Sequence, residues 1–198
     1  MNRLRTFLPK RQTRRLAENA RGAVAIEFAL LLPVLVLLFF GLINLTKGYS
    51  ASRKLVIATN TFGDLVTQAG GTLSTSIINS YYQAVGHIMR PFSAANVKMT
   101  VYAVQKDDKD KINVVWKDVV GDTTNTCPAP DFNSTTLKKK ITPLLTSTSD
   151  MAIVTRGCYI FRPLLSNPFF TFNGVKLMED VVLKPRQMKN LPCSDCSS

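Results

Sequence analysis

The sequence predicts an α+β protein in which a long N-terminal transmembrane helix continues into a domain with an antiparallel sheet of about four strands. Three observations support this fold class. Residues 28–45 are 18 consecutive residues without a charge. Apolar residues then recur every three or four positions as far as Ala69, which is the period of a helix. Beyond Pro91 apolar and polar residues alternate, which is the period of a strand.

Positive charge is concentrated at the N-terminus. The chain has 198 residues, with 25 basic and 13 acidic side chains and a net charge of +12. Residues 1–22 hold seven basic residues and one acidic residue, namely Arg3, Arg5, Lys10, Arg11, Arg14, Arg15, Arg21 and Glu18. The rest of the chain is only mildly cationic, which indicates a basic leader and not a nucleic-acid-binding domain. A hydrophobic content of 45% excludes a disordered protein.

The uncharged run has the length of a membrane span. At 1.5 Å per residue it forms about 27 Å of helix, close to the ~30 Å hydrocarbon core of a bilayer. Counted from Ala23, the predicted transmembrane helix covers residues 23–45. We therefore expect contact with a lipid bilayer. By the positive-inside bias, residues 1–22 form a cytoplasmic leader and residues 46–198 are exported.

A cleaved secretory signal is the alternative interpretation of the same segment. The hydrophobic part of such a signal usually has 7–15 residues and is followed by small residues in an A-x-A pattern. Here the apolar run is longer, and residues 44–49 (NLTKGY) contain no such pattern. These differences favour a retained span.

Cysteine usage agrees with export. Cys127, Cys158, Cys193 and Cys196 all follow the span. An even number of cysteines in an oxidising compartment indicates two disulfides, for which three pairings exist. We favour Cys127–Cys158 together with a small loop closed by Cys193–Cys196. A zinc site of four thiolates and a redox role for the C-terminal CxxC are weaker alternatives, and we expect neither a metal nor another cofactor.

One acidic residue, Glu27, lies at the start of the apolar run. A carboxylate near the bilayer centre costs roughly 2.5–3.5 kcal/mol on insertion scales, and less near an interface. Because a charge in this position needs a partner, Glu27 is a candidate functional residue. The simpler alternative places it at headgroup depth without a role.

Residues 21–35 (RGAVAIEFALLLPVL) resemble the opening of the TadE/TadG-like proteins of Tad (tight adherence) pilus systems, which are type IVb-like. The similarity extends to about residue 50, and residues 182–186 (VLKPR) resemble the Pro-Arg finish of the group. In that group a prepilin peptidase cuts after the glycine, on the cytoplasmic face. The resemblance therefore implies cleavage between Gly22 and Ala23, with Glu27 as the fifth residue of the mature chain. There Glu27 can neutralise the new amine of a neighbouring subunit and so favour one packing register.

Two departures from the major Tad pilins imply a minor pilin, or pseudopilin. Phe28 stands where the major pilins tend to carry Tyr, and this chain is far longer than they are. The resemblance implies other pilins, pilus assembly proteins and the prepilin peptidase as partners. It implies a location in the bacterial inner membrane with the C-terminal domain in the periplasm, or at the pilus and cell surface, where that domain serves adhesion or partner contacts. An uncleaved bitopic scaffold of the assembly machinery is the alternative.

The remaining elements follow in order. Pro33 removes one helical hydrogen bond and is expected to bend the first helix. Residues 46–91 form a helical stem, with a second helix over 75–89. Residues 92–198 form a β-rich domain with strands at 97–103, 112–120, 151–162 and 175–184, a charged turn at 106–111 and a long loop at 122–149.

No motif for catalysis is present. The sequence lacks a P-loop, G-x-S-x-G, H-E-x-x-H and G-x-G-x-x-G. His87 is the single histidine, and its expected role is structural. Asp107, Asp108 and Asp110 lack the Gly and terminal Glu of a calcium loop. We expect no enzyme activity, no small-molecule substrate and no nucleic-acid partner; a membrane-anchored enzyme is the least supported alternative.

Overall fold

The computed structural model describes residues 20–163 and 174–197. The chain divides into two compact units, Met1–Leu45 and Thr46–Ser198, here called the N-terminal and the C-terminal unit. The elements are α1 (Ala20–Thr67), α2 (Thr75–Met89), β1 (Val97–Lys106), β2 (Ile112–Gly121), α3 (Thr135–Ile141), β3 (Met151–Phe161) and β4 (Val175–Leu183). The predicted α+β class is confirmed. The predicted basic leader, apart from residues 20–22, lies outside the described residues.

The four strands form one antiparallel sheet in the order β2-β1-β3-β4. The charged turn at its β1–β2 hairpin has a structural role. Asp107 Oδ1 accepts hydrogen bonds from the backbone N of Lys111 (2.8 Å) and of Lys109 (3.0 Å), and these bonds hold the pKa of Asp107 below its usual range. Asp110 adopts a positive φ of 61° and pairs with Lys106 and Lys138. The acidic cluster thus closes the hairpin.

One face of the sheet packs against α1 and α2. The apolar stripe that the sequence predicts after the span is buried, and it shares a core with inward-facing residues of the strands. The core includes Ala51, Leu55, Ala58, Phe62 and Val66 of α1, Ile78, Val85 and Met89 of α2, and Val97, Met99, Val101, Ile153, Tyr159 and Phe161 of the sheet. Tyr82 connects α2 to the start of β1, because its hydroxyl lies 2.9 Å from Val97 O; burial, assisted by Asp122, raises the pKa of Tyr82 to about 12.

The close approach of α1 to β3 depends on Gly157. A Cβ at this position would lie well inside van der Waals contact with Thr59 Oγ1, and 3.1 Å from Met99 Sδ. We therefore expect Gly157→Ala to lower the free energy of unfolding by about 1–3 kcal/mol, the usual cost of overpacking a core. Gly71→Ala is the matched control, because no atom lies within 4 Å of its Cβ position. Urea unfolding of both variants checks this, and equal stabilities would contradict it.

The opposite face of the sheet is also covered, which corrects the prediction of a long loop at 122–149. This segment contains α3 and a 3-10 turn, Thr142–Leu144. Its apolar side chains form a second core with the other face of β1 and β3, made of Tyr102, Val104, Ile112, Phe132, Leu137, Ile141, Leu145, Ala152 and Val154. The central strands are therefore buried on both faces.

Asp150, at the start of β3, is almost fully buried and accepts several hydrogen bonds. Its donors are Thr146 Oγ1, the backbone N of Thr146 (2.9 Å) and of Ser147 (3.1 Å), and Lys184 Nζ (3.3 Å). The hydrogen bond from Thr146, followed by those from Ser147 and Lys184, holds the pKa of Asp150 well below its usual value. A carboxylate with a lowered folded-state pKa stabilises the fold fully above its ordinary pKa of 3.8, and this contribution is lost as the pH falls below that value.

We therefore expect Asp150→Asn to flatten the acid limb of the stability profile. The wild type should lose more thermal stability than the variant between neutral pH and a pH well below 3.8. Thermal unfolding followed by circular dichroism measures the difference. Parallel acid limbs in the two proteins would contradict this assignment.

Candidate functional site

The N-terminal part of α1 is apolar on all sides and is not covered by the described part of the chain. Every side chain over residues 24–42 is exposed, with Leu30 72% and Leu37 70% exposed. Among the described residues one helix, over Val24–Thr67, is long and apolar enough to cross a membrane. An apolar surface of this size requires lipid or another protein as its cover.

Glu27 interrupts this apolar surface near its start. Helical spacing places it on one stripe with Leu31, Val34, Leu38 and Gly41, and its side chain is exposed. In the described part of the chain no residue forms an ion pair with Glu27. The helix rises about 6 Å over the four residues from Ala23 to Glu27, so the backbone at the predicted cleavage site lies about one turn away.

Gly22 lies inside α1, and packing among the described residues does not require a glycine there. No described atom outside the local helix backbone lies within 4 Å of a Cβ built at Gly22, and the same holds for Gly41. Pro33 is also inside α1, which is helical on both sides of it; the expected bend stays a prediction. Contacts among the described residues therefore do not explain why glycine occupies positions 22 and 41.

The four cysteines form two disulfides, in the pairing that the sequence favours. Cys127–Cys158 joins residues 122–149, here called the covering segment, to β3 with a Cα–Cα distance of 6.0 Å. Cys193–Cys196 closes a C-terminal loop with a Cα–Cα distance of 5.6 Å. The alternative of four thiolates on zinc is excluded by this bonding. Cys193, Asp195 and Cys196 do bring potential ligand atoms within 4.8 Å of one another, but both sulfurs are in the disulfide.

The C-terminal loop connects distant parts of the C-terminal unit, a role that the sequence does not predict. Asp195 accepts hydrogen bonds from the backbone N and the Oγ1 of Thr75, both 2.8 Å, at the N-terminus of α2. These bonds lower the pKa of Asp195. Ser197 forms two backbone hydrogen bonds with Lys117 on β2, of 2.7 Å and 3.1 Å. The preference of Asp for helix N-termini is the only sequence signal of this contact.

Arg156 is another charged group with a shifted pKa, and it serves a structural contact. Arg156 on β3 forms a bidentate pair with Asp180 on β4, at 2.6 Å and 2.5 Å, which raises the pKa of Arg156. Arg156 also donates to Pro128 O (2.6 Å) in the covering segment. His87 is exposed on α2. Hydroxyl–carboxylate contacts such as those of Thr146 with Asp150 and of Thr75 with Asp195 likewise join segments of the fold.

These features suggest a membrane anchor: among the described residues one apolar helix is long enough to cross a membrane, and it continues into a folded α+β unit. The family model of TadE-like proteins matches residues 22–61, which confirms the resemblance noted in the sequence. Residues 22–61 are thus a TadE-like segment; the match covers 40 of 198 residues and includes Gly22, Glu27 and Pro33. No curated protein and no solved structure matches the chain. The TadE-like segment and the apolar helix together fit a component of a Tad pilus.

Proposed function

We propose that this protein is a minor pilin, or pseudopilin, that takes part in the assembly of a Tad-type pilus. The observation that carries the proposal is that the TadE-like match begins at Gly22 and includes the whole uncovered apolar part of α1. Such a helix contacts lipid before assembly and the helices of other pilins in a filament. The role is structural, and the C-terminal unit provides partner contacts or adhesion.

Processing after Gly22 by a prepilin peptidase is part of this proposal. A glycine that the chain's own packing does not require supports recognition of this position by another protein. The two disulfides support a periplasmic location for the C-terminal unit, because disulfides persist in oxidising compartments. The N-terminus then lies in the cytoplasm, where the peptidase acts in Tad-type systems.

The test of processing is the N-terminal residue and the intact mass of the protein recovered from membranes, with and without the prepilin peptidase. A chain that begins at Ala23 only when the peptidase is present supports the proposal. A chain that begins at Met1 under both conditions contradicts it and favours the uncleaved scaffold. The presence of the chain in sheared surface fractions distinguishes a filament component from a protein that stays in the membrane.

Glu27 sets the packing register in this proposal, through a charge pair with the amine of Ala23 in a neighbouring subunit. Removing one partner of a buried charge pair costs roughly 3–5 kcal/mol, because the other charge stays buried and unpaired. We expect Glu27→Gln to be processed like the wild type but to reduce pilus assembly at least tenfold, about 1.4 kcal/mol or more.

Glu27→Asp is the matched control, because it keeps the charge on a shorter side chain and should retain part of the assembly. Pili are counted in sheared fractions by immunoblot, and processing is measured by intact mass in the same cells. Normal pilus numbers with Glu27→Gln would contradict the register role. A defect of the same size with Glu27→Asp would point to side-chain shape and not to charge.

A further inference from the structure

Exposed cationic side chains surround the end of the C-terminal unit at which α1 enters it. α1 enters this unit at Thr46, and a Cβ at Gly48 would lie 3.4 Å from Phe161 Cε1. The end of β3 therefore lies beside the first helical turn of the unit. Lys47 and Arg162 line one shallow groove here, together with Phe92.

We use the name basic rim for four exposed cations: Lys47 and Arg162 in this groove, Arg53 beside the ring of Tyr49, and Arg90, two residues before Phe92. None of the four forms an ion pair with any residue in the ranges 20–163 and 174–197. Elsewhere in the described chain the paired cations each have an aspartate partner: Lys106, Lys138, Arg156, Lys184 and Arg186. The rim thus carries four charges for which the described residues supply no ion-pair partner.

One acidic residue, Asp122, lies at the same end, because its backbone N donates to Val97 O at the start of β1. Its carboxylate is already engaged: Asp122 Oδ1 accepts from Thr124 Oγ1 (2.6 Å) and from the backbone N of Thr124 (2.9 Å). The hydrogen bonds from Thr124, assisted by the charge of Lys98, hold the pKa of Asp122 below its usual range, and Lys98 is not part of the rim. The rim therefore keeps an excess of positive charge.

Aromatic side chains accompany the rim. Tyr49 is 64% exposed, and the guanidinium of Arg53 lies 5.9 Å from the centre of its ring. Phe92 is partly exposed and contacts Tyr159 edge to face, with ring centroids 6.4 Å apart. Tyrosine rings are enriched where a protein meets the headgroups of a bilayer. The combination of cations and aromatic rings is typical of a membrane-surface contact.

The depth of Lys47 follows from the chain itself. Lys47 comes two residues after the predicted end of the span at residue 45, a rise of about 3 Å along the helix. A cation at this distance lies at headgroup depth when α1 crosses the bilayer. Basic residues next to a span are attracted to anionic lipids by about 1 kcal/mol each, which corresponds to a factor of about five per residue.

We propose that the basic rim binds the anionic headgroups of phospholipids and so holds the C-terminal unit against the membrane surface. This inference rests on the membrane anchor in the proposed function. Removal of α1 from the bilayer during assembly must then break these headgroup contacts as well as the apolar contacts of the span. A membrane without anionic lipid would leave the unit free of the surface.

The test uses the full chain in nanodiscs made of phosphatidylcholine, either alone or mixed with phosphatidylglycerol. A spin label on Ser93→Cys, next to Phe92, reports contact through collisions with lipid-soluble oxygen relative to a water-soluble nickel chelate. We expect phosphatidylglycerol to raise this ratio about fivefold or more, and high salt to reverse the rise. A label on Asp108→Cys, in the turn at the other end of the β1–β2 hairpin, should show no change.

Matched charge variants decide whether the rim is responsible. Lys47→Gln, Arg90→Gln and Arg162→Gln in one chain should abolish the effect of phosphatidylglycerol. Lys109→Gln, Lys111→Gln and Lys139→Gln remove the same charge from exposed positions outside the rim, and they should preserve the effect. Equal label accessibility in the two lipids, or equal loss in the two triple variants, would overturn the inference. A chain that fails to enter nanodiscs at all would instead contradict the membrane anchor.

Discussion

Gly22→Lys is expected to leave the chain uncleaved, with the intact mass of the full-length protein even when the prepilin peptidase is present. A peptidase that cuts after this residue must bring its catalytic groups against the backbone at Gly22, and a long cationic side chain obstructs that approach. Because no described atom outside the local helix backbone lies within 4 Å of a Cβ at Gly22, the substitution should not disturb the fold. We expect processing to fall at least tenfold, which corresponds to about 1.4 kcal/mol of lost transition-state binding.

Gly41→Lys is the matched control for this substitution. Gly41 also has no described atom outside the local helix backbone within 4 Å of its Cβ position, but it lies 19 residues beyond Gly22 in α1. This variant should be cut as the wild type is, if it is inserted into the membrane. Mass spectrometry of membrane fractions compares the proteins directly. An uncleaved Gly22→Lys chain that still supports pili would sink the processed-pilin proposal, although the membrane anchor would stand.

Of the two disulfides, Cys127–Cys158 should cause the larger loss of stability of the C-terminal unit when it is removed. The two cysteines are 31 positions apart, and in the chain-entropy account a loop of this length contributes about 3–4 kcal/mol. Cys193 and Cys196 are three positions apart, so their disulfide contributes only about 2 kcal/mol on the same account. Cys158 is also fully buried, so its replacement by alanine leaves a small cavity.

The measurement compares urea unfolding of the full chain in detergent for two double variants, Cys127→Ala with Cys158→Ala and Cys193→Ala with Cys196→Ala. The first pair should unfold at a clearly lower urea concentration than the second. The reason is structural as well as entropic, because the first disulfide joins β3 to the segment that covers the second face of the sheet. The opposite order of the two pairs would contradict this account.

The sequence predicts most element boundaries of the C-terminal unit correctly because these elements have strong local signals. α2 begins after the N-cap Ser74, whose side chain accepts a hydrogen bond from the backbone N of Ile77. It ends before Arg90-Pro91, where proline cannot continue the helix. The hairpin turn at 106–111 is dense in charged residues between two alternating runs. In these places local chemistry and the final fold agree.

The second layer over the sheet is the main miss, and its cause is identifiable. Residues 122–149 are rich in Thr, Ser, Asn and Pro, which favour turns, and this composition obscures a short amphipathic repeat. Leu137, Ile141 and Leu145 recur every four positions and bury their side chains on the sheet. The pattern of β1 is misleading in the same way, because Thr100 and Tyr102 alternate with apolar residues and suggest that one side of the strand faces solvent. Both are buried, so polar residues on a strand do not by themselves show that a face is wet.

The sequence predicts less about the candidate site than about the fold. Glu27 stands out on physical grounds because it is an acid in an apolar run. The expectation that it is the fifth residue of a mature chain follows only from the resemblance of residues 21–35 to the family. In the proposed function the partner of Glu27 belongs to another molecule, so the spacing within one chain locates the charge and not its counterpart. The role of Asp195 was missed for a related reason, because its partner Thr75 is 120 positions away.

The outer edge of β2 is blocked at two positions. The side-chain amide of Asn133 donates to Ile112 O (3.3 Å) and accepts from Ile112 N (3.2 Å), in the way a neighbouring strand would. Ser197 occupies the corresponding groups of Lys117. An exposed edge strand is a template for aggregation, and natural sheets commonly protect it. At these two positions the edge of β2 is therefore protected against pairing with the sheet of a second copy.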